Sequence, residues 1–194
     1  SYKVTKLAIA KAKQSAVGTV WVRNSNHFAA AGYYAVMCAE ADMFGLAMTN
    51  ADISLAAPGS AGRVIGNNPF AYGAPASEAP SVNLDIAMGV VAGGKVHAAL
   101  RDARSIPLGW VIDKQGNPTT DPREYEEKGG ATMPMAGHKG FGLALLIEIL
   151  AGVMTGGGIR TELTSYAQQP GKPSNVGHFF MAIDVNTIMP INDF

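Results

Sequence analysis

Apolar and polar positions alternate in blocks that predict helices and strands by turns. Residues 2–16 place Val4, Leu7, Ala8 and Ala12 on one stripe, with Lys3, Lys6, Lys11 and Lys13 around the other side. That pattern is an amphipathic helix, and Gly18 is placed to end it as a C-cap glycine. The β-branched run TVWV (19–22) then reads as a buried strand, four polar residues follow, and an Ala-rich helical segment runs through Cys38. Ser25 or Asn26 is the natural N-cap, because a short side-chain oxygen can accept from the first free amides of a helix. This puts His27 in the first helical turn, where an imidazole can take or give a proton near neutral pH. The competing reading is a capped helix whose His is bonded to backbone. FGLAMT (44–49) is a second strand. A helix between two strands predicts a parallel β-α-β unit.

From 50 to 80 the texture changes to Gly, Pro, Asn and Ser, with turn signals every few residues. Loops of that length inside a domain are more often functional than idle. Residues 82–88 (VNLDIAM) resume as a strand, and 90–100 as a helix weakened by Gly93 and Gly94. The segment 106–113 leads into the solvent loop KQGNPTTDP and the charged patch REYEEK. The most apolar helix spans 141–154 and is stopped by Gly156, Gly157 and Gly158. The polar loop QQPGKPSN then precedes a core strand at 178–185.

Composition narrows the function classes. Of 194 residues, 47% are hydrophobic and 15% charged, with zero formal net charge, so the chain can bury a core. With no basic run, nucleic acid and anionic membrane surfaces are not expected partners. No charged-then-apolar leader opens the sequence, and the 141–154 run is too short and Gly-interrupted to span a bilayer. The single cysteine, Cys38, can form no internal disulfide, which fits a reducing, cytoplasmic setting. No CxxC or HExxH spacing occurs, so no metal site is expected.

Several positions could carry chemistry. GHKGFG (137–142) offers glycines, a helix start and the cation Lys139, which together suit a phosphate or carboxylate. It is neither a Walker A loop nor a Rossmann GxGxxG. Asn67 and Asn68 bring donors and acceptors, although Asx residues before proline are also ordinary turn formers. Asp85 stands alone in an apolar strand and must be hydrogen-bonded, either as a backbone clamp or to a ligand. His97 reads as packing or surface, and His178 is open to either role.

The ordered blocks NSNHFAAAGYYA, MTNAD, RVIGNNPFAYGAP, LDIAM, IPLGWVIDKQGNPTTDP, MPMAGHKGFGLALLIEILAGVMTG and GHFFMAID resemble the type-2 malate/L-lactate dehydrogenase family along nearly the whole chain. That family includes ureidoglycolate, sulfolactate and diketogulonate dehydrogenases and cyclic imine reductases. The resemblance implies an α/β fold unlike the Rossmann fold, with a mixed sheet and flanking helices. It also implies a homodimer, and hydride transfer between NAD or NADP and a small 2-oxo or 2-hydroxy acid substrate. By the same resemblance, His27 falls on a proton acceptor or cofactor contact. Asp85, Ile86, Ala87, His138, Lys139 and Asn50 fall on cofactor positions, and Asn67 on a substrate position.

The departures carry information as well. Ala29 stands where many members have Gly, crowding the cofactor approach, and Asn67 replaces a frequent Thr. Lys95 occupies a position where imine-reducing members carry an acid, which disfavours a cyclic imine reductase. The family's N-terminal helical segment, with its Ser-His pair and Arg, has no counterpart here. Residues 1–194 are therefore expected to be a single cofactor-binding domain from the central part of a longer chain. A non-catalytic cofactor-binding or oligomerisation module is the alternative.

Overall fold

The structure, a computed structural model, describes residues 1–76, 80–165 and 169–194. Residues 77–79 of the predicted 50–80 loop, and Gln168 at the head of QQPGKPSN, lie outside the described residues. In chain order the elements are α1 (Tyr2–Ser15), β1 (Val17–Ser25), α2 (Ala31–Ala39), β2 (Met43–Thr49), β3 (Ile53–Leu55), β4 (Ile65–Gly66), β5 (Phe70–Ala74) and β6 (Val82–Ile86). They continue with α3 (Gly93–Arg101), β7 (Val111–Ile112), β8 (Pro118–Thr119), α4 (Pro122–Glu126), β9 (Ala131–Thr132), α5 (His138–Ile147) and β10 (Val176–Asp184).

Two five-stranded sheets organise the described residues. The larger has the order β1-β10-β2-β5-β6 and is antiparallel throughout. Since β10 runs antiparallel to both β1 and β2, those two are parallel to each other, as the β-α-β reading predicts. They are not neighbours, however, because the late strand β10 is inserted between them. The smaller sheet, β4-β3-β9-β7-β8, is mixed, with a parallel β3–β9 pairing. The fold is thus α/β and mixed, and it is not a Rossmann fold.

Period-two alternation divides the large sheet between two cores. On one face Ala47, Ala71, Phe180 and Ala182 pack against α1 and α2 through Ala8, Ala12, Ala31, Ala35 and Cys38. On the other face Met48 and Phe179 pack against α5 and its continuation through Ala144, Ile147 and Ala151. Burial pushes the Cys38 thiol up to about 12, so it behaves as a small hydrophobe.

The buried stripe of α1 is Thr5, Ala8 and Ala12, while Leu7 is half exposed. Gly18 is a β1 residue and not a C-cap: a Cβ there would lie 2.0 Å from the Ala8 carbonyl oxygen. Its role is to let helix and strand touch. Within the stretch expected to be loop, β5 pairs with both β2 and β6, so 70–74 lies inside the sheet. The apolar helix is longer than expected. After α5 it widens into a π turn at Glu148–Gly152, tightens to 3₁₀ at Val153–Thr155, and ends at Gly156 in the left-handed region. By length and composition alone, His138–Thr155 could cross a membrane, yet its inner face is packed on the sheet.

Candidate active site

The strand β1 runs to Ser25, past the apolar TVWV run, because its ladder with β10 continues through an irregularity at 22–25. The helix α2 starts later, at Ala31, with Ala30 in the cap position and no side-chain cap. His27 therefore sits in the loop 26–30 ahead of the helix and not in its first turn. Neither Ser25 nor Asn26 caps α2; Asn26 Oδ1 accepts instead from the Ser174 amide at 3.0 Å. The helix amide at Gly32 is satisfied by Asp85 Oδ2 at 2.9 Å, a partner 53 residues away in sequence.

This loop forms one wall of a cavity of about 310 Å³. His27, Phe28 and Ala29 line it from the loop, Thr49, Asn50, Ala51, Asp52 and Ser54 from the end of β2 into β3, and Asn67 and Ala87 from beside β4 and β6. Tyr125, Thr164, Ser174 and Val176 close it. Among the described residues, one acid, Asp52, and no Lys or Arg line this cavity. Among the described residues, the hydroxyl oxygens of Ser54 and Ser174 are buried away from solvent with no hydrogen-bond partner. The lining suits an uncharged, hydroxyl- or amide-bearing group.

His27 is exposed, and its Nδ1 accepts a hydrogen bond from the Ala29 amide at 3.0 Å. In the neutral ring this leaves the proton on Nε2. Ala29 has φ +67°, the left-handed region that favours glycine. Beneath the loop, Phe28 stacks on His178, which is fully buried and whose Nδ1 lies 2.7 Å from Thr49 Oγ1. Burial pushes the His178 imidazole down to about 4, so it is neutral and part of the core.

The floor is built from buried amides. Asn50 is 1% exposed: its Oδ1 accepts from the Gly177 amide at 2.8 Å and its Nδ2 donates to the Gly158 carbonyl at 2.9 Å. It borders the cavity while its side chain braces two loops. Asn67 borders the cavity too, and its Oδ1 accepts from the Gly89 amide at 2.6 Å. Asn68 Nδ2 donates to Glu148 Oε2 and to the Ala144 carbonyl, tying the floor to the π turn.

The expected cofactor strand divides. Ala87 reaches the cavity, Ile86 packs on the core beside Met88, and Asp85 clamps α2 without lining the cavity. His138 and Lys139 are exposed at the start of α5 and do not line it either. The anion cradle expected there is partly closed, because the Lys139, Gly140 and Phe141 amides donate to the Ala136, Met135 and Gly137 carbonyls. Residues flanking the two segments do meet: the Met135 amide donates to the Met88 carbonyl at 2.9 Å, and Gly89 bridges to Pro134. His97 is exposed, 3.7 Å from Glu126, and Lys95 lines a different depression.

Sequence reasoning missed Asp52, Ser54, Tyr125, Thr164 and Ser174. Tyr125 is held by Arg63, whose guanidinium lies over the ring at 4.4 Å and donates to the Tyr125 and Gly130 carbonyls.

Comparison with known proteins comes down on one family. The malate/L-lactate dehydrogenase family profile matches residues 1–194. The malate dehydrogenase of Pyrococcus horikoshii is 42% identical over 100% of this chain and 54% of its own length. The malate/(S)-sulfolactate dehydrogenase of Methanothermus fervidus is 41% identical over 100% of this chain and 56% of its own. The solved structure of the sulfolactate dehydrogenase from Methanocaldococcus jannaschii superposes with a TM-score of 0.89 at 38% identity, covering 99% of this chain and 54% of that one. The chain spans about half the length of the curated relatives it matches.

Proposed function

The chain belongs to the malate/L-lactate dehydrogenase family, and on that premise we propose that it carries the nicotinamide slot of an NAD- or NADP-dependent oxidoreductase acting on small 2-oxo or 2-hydroxy acids. The observation that carries this reading is the cavity beside His27, rich in neutral hydrogen-bonding groups and without a cation among its described residues. The nicotinamide-ribose end, whose ring is neutral in NADH and NADPH, fits that lining. A cavity of about 310 Å³ is too small for a whole dinucleotide. The remainder would leave past Ala87 toward the adjoining segment 133–135 and the Lys139 cation.

When bound, the cofactor supplies or accepts the hydride; the protein's part is orientation and proton handling. His27 exchanges the hydroxyl proton at C2 through Nε2. The imidazolium that donates to a ketone oxygen is protonated at both nitrogens, so it cannot keep accepting from the Ala29 amide. Proton uptake therefore breaks one loop hydrogen bond, of about 0.5–1.5 kcal/mol. Asn67 faces the same cavity and would read the acid, and residues 1–194 act as one cofactor-binding unit.

The assembly would be a homodimer. Support comes from the outer face of α5 and its continuation, where Leu143, Leu145, Leu146, Ile149, Val153 and Met154 are all 42–55% exposed. A helix apolar on its outward side is a surface awaiting a partner.

The test is NADH and NADPH fluorescence titration together with turnover of oxaloacetate and pyruvate in the unsubstituted protein and in His27→Ala. Cofactor binding in both proteins, with turnover reduced at least 100-fold in the variant, supports the reading. Unchanged turnover in His27→Ala removes His27 from the chemistry, and no binding at high micromolar cofactor favours an inert module.

A further inference from the structure

Asp52 is the one acid among the described residues that line the 310 Å³ cavity. Its backbone is held on both sides. The Ala51 amide donates to Asn68 Oδ1 at 3.0 Å, and Ile53 pairs with Gly66 in the β3–β4 ladder. The carboxylate itself has no hydrogen-bond or ion-pair partner among the described residues. Asp52 is half-buried, and unlike the Ser54 and Ser174 hydroxyls its oxygens are open to solvent.

No side chain of opposite charge shares that lining. Arg63 lies over the Tyr125 ring with its guanidinium spent on the Tyr125 and Gly130 carbonyls, and it does not line the cavity. Lys172 belongs to the adjoining depression beyond His27, and Glu126 is drawn off toward His97. The Asp52 charge is nevertheless felt at the cavity wall. Burial pushes the Tyr125 hydroxyl above its ordinary value, Arg63 opposes that rise, and Glu126 and Asp52 add to it. A wall of neutral groups with one uncompensated carboxylate gives the space a negative bias.

From this arrangement we infer that Asp52 makes the cavity discriminate between the two oxidation states of the nicotinamide ring, favouring the cationic ring of oxidised NAD or NADP over the neutral ring of NADH or NADPH. The inference rests on the function proposed above. The oxidised and reduced forms share their phosphates, riboses and adenine, so contacts with those parts cancel in the ratio of the two affinities. What remains is one positive charge on the ring. The neutral hydrogen-bonding groups accept the ring in either state, and Asp52 is the group that separates them. No direct contact is required, because the attraction of opposite charges falls only as the inverse of distance. A cavity of about 310 Å³ is comparable in width to the Debye length of about 8–10 Å at ordinary salt, so screening does not erase the effect across it.

Calorimetric titration of the full chain, of Asp52→Asn and of Asp52→Glu with NAD, NADH, NADP and NADPH tests this. The readout is the ratio of oxidised to reduced affinity within each cofactor pair. Loss of a negative charge also favours the diphosphate, but it does so in both forms alike and leaves the ratio untouched. In Asp52→Asn the ratio should fall about tenfold, the order expected for two unit charges across a small, partly dry cavity. Asp52→Glu keeps the charge and should hold the ratio of the unsubstituted protein. A ratio that moves less than twofold in Asp52→Asn overturns the inference while leaving the His27 reading intact, whether or not both affinities weaken together. A fall in Asp52→Glu as large as in Asp52→Asn ties the effect to shape rather than charge and overturns it as well. If the unsubstituted protein binds neither form, the inference sinks together with the reading it rests on.

Discussion

Phe28 lies flat on the His178 ring, with centroids 4.6 Å apart and planes 8° from parallel. One belongs to the loop that carries His27 and the other to β10, so the loop rests on a buried imidazole that burial holds neutral. An unfolded chain titrates this group at the ordinary value of 6.5, while the folded chain resists until about 4. As pH falls, the unfolded state takes up the proton first. The contribution to stability is whole above pH 6.5 and is lost progressively down to pH 4, amounting to about 3 kcal/mol. Urea unfolding of the parent and of His178→Phe between pH 7.5 and 4.5 would show a steep decline for the parent and a shallower one for the variant. Parallel profiles would mean that His178 is not the titrating group.

Ala29 holds a left-handed φ of +67° while its amide donates to His27 Nδ1. An L-residue there carries a conformational penalty of about 1 kcal/mol that glycine does not. Ala29→Gly should therefore stabilise the folded chain by roughly 0.5–1 kcal/mol, less whatever freedom the glycine adds to the unfolded state. Chemical denaturation measures this directly. A loss of stability would show that the alanine methyl packs productively in the cavity wall.

Asn68 is fully buried and joins three elements: its Oδ1 accepts from the Ala51 amide, and its Nδ2 donates to the Ala144 carbonyl and Glu148 Oε2. Truncation strands a buried carboxylate oxygen and a half-buried amide together. Asn68→Ala should cost about 3 kcal/mol. Asn68→Asp should cost more at neutral pH, since it sets one carboxylate against another. If Asn68→Ala unfolds within about 1 kcal/mol of the parent, the network does not hold the cavity floor.

Local signals made much of this fold readable. The strand β10 and the α5 run stand out because their apolar residues are long and continuous, and His27 stood out by its place between a strand and a helix. What stayed hidden depends on distant partners. The α2 amides are capped by Asp85, 53 residues away in sequence, which no local N-cap rule could find. The strand β5 is short and rich in Ala and Gly, and is a strand because β2 and β6 pair with it on either side. Ser174 is one serine in a Pro/Gly loop, and its place with His27 in the lining of two neighbouring cavities emerges only when the chain is folded. The 85–87 and 138–139 segments were legible as a set, but the fold gives them different tasks.

The outer face of α5 and its continuation supplies the last prediction. Leu146, Ile149 and Val153 recur at helical spacing and are 46%, 42% and 54% exposed, while the opposite face, with Ala144, Ile147 and Ala151, is packed on the large sheet. The spacing places them on one outward stripe that carries no charge, so a second copy could bury it without stranding an ion. Ile149→Lys leaves the sheet-facing side untouched and sets an ammonium in the middle of the stripe. The fold should survive, with unfolding free energy within about 0.5 kcal/mol of a monomeric reference. Light scattering after size exclusion should show dimer giving way to monomer, with dissociation raised by a factor of 100 or more, the order expected for a charge buried unpaired at an interface. If the mass is dimeric with and without the lysine, the copies meet elsewhere on the surface. If the parent is already monomeric at micromolar concentration, the stripe is not a self-association face.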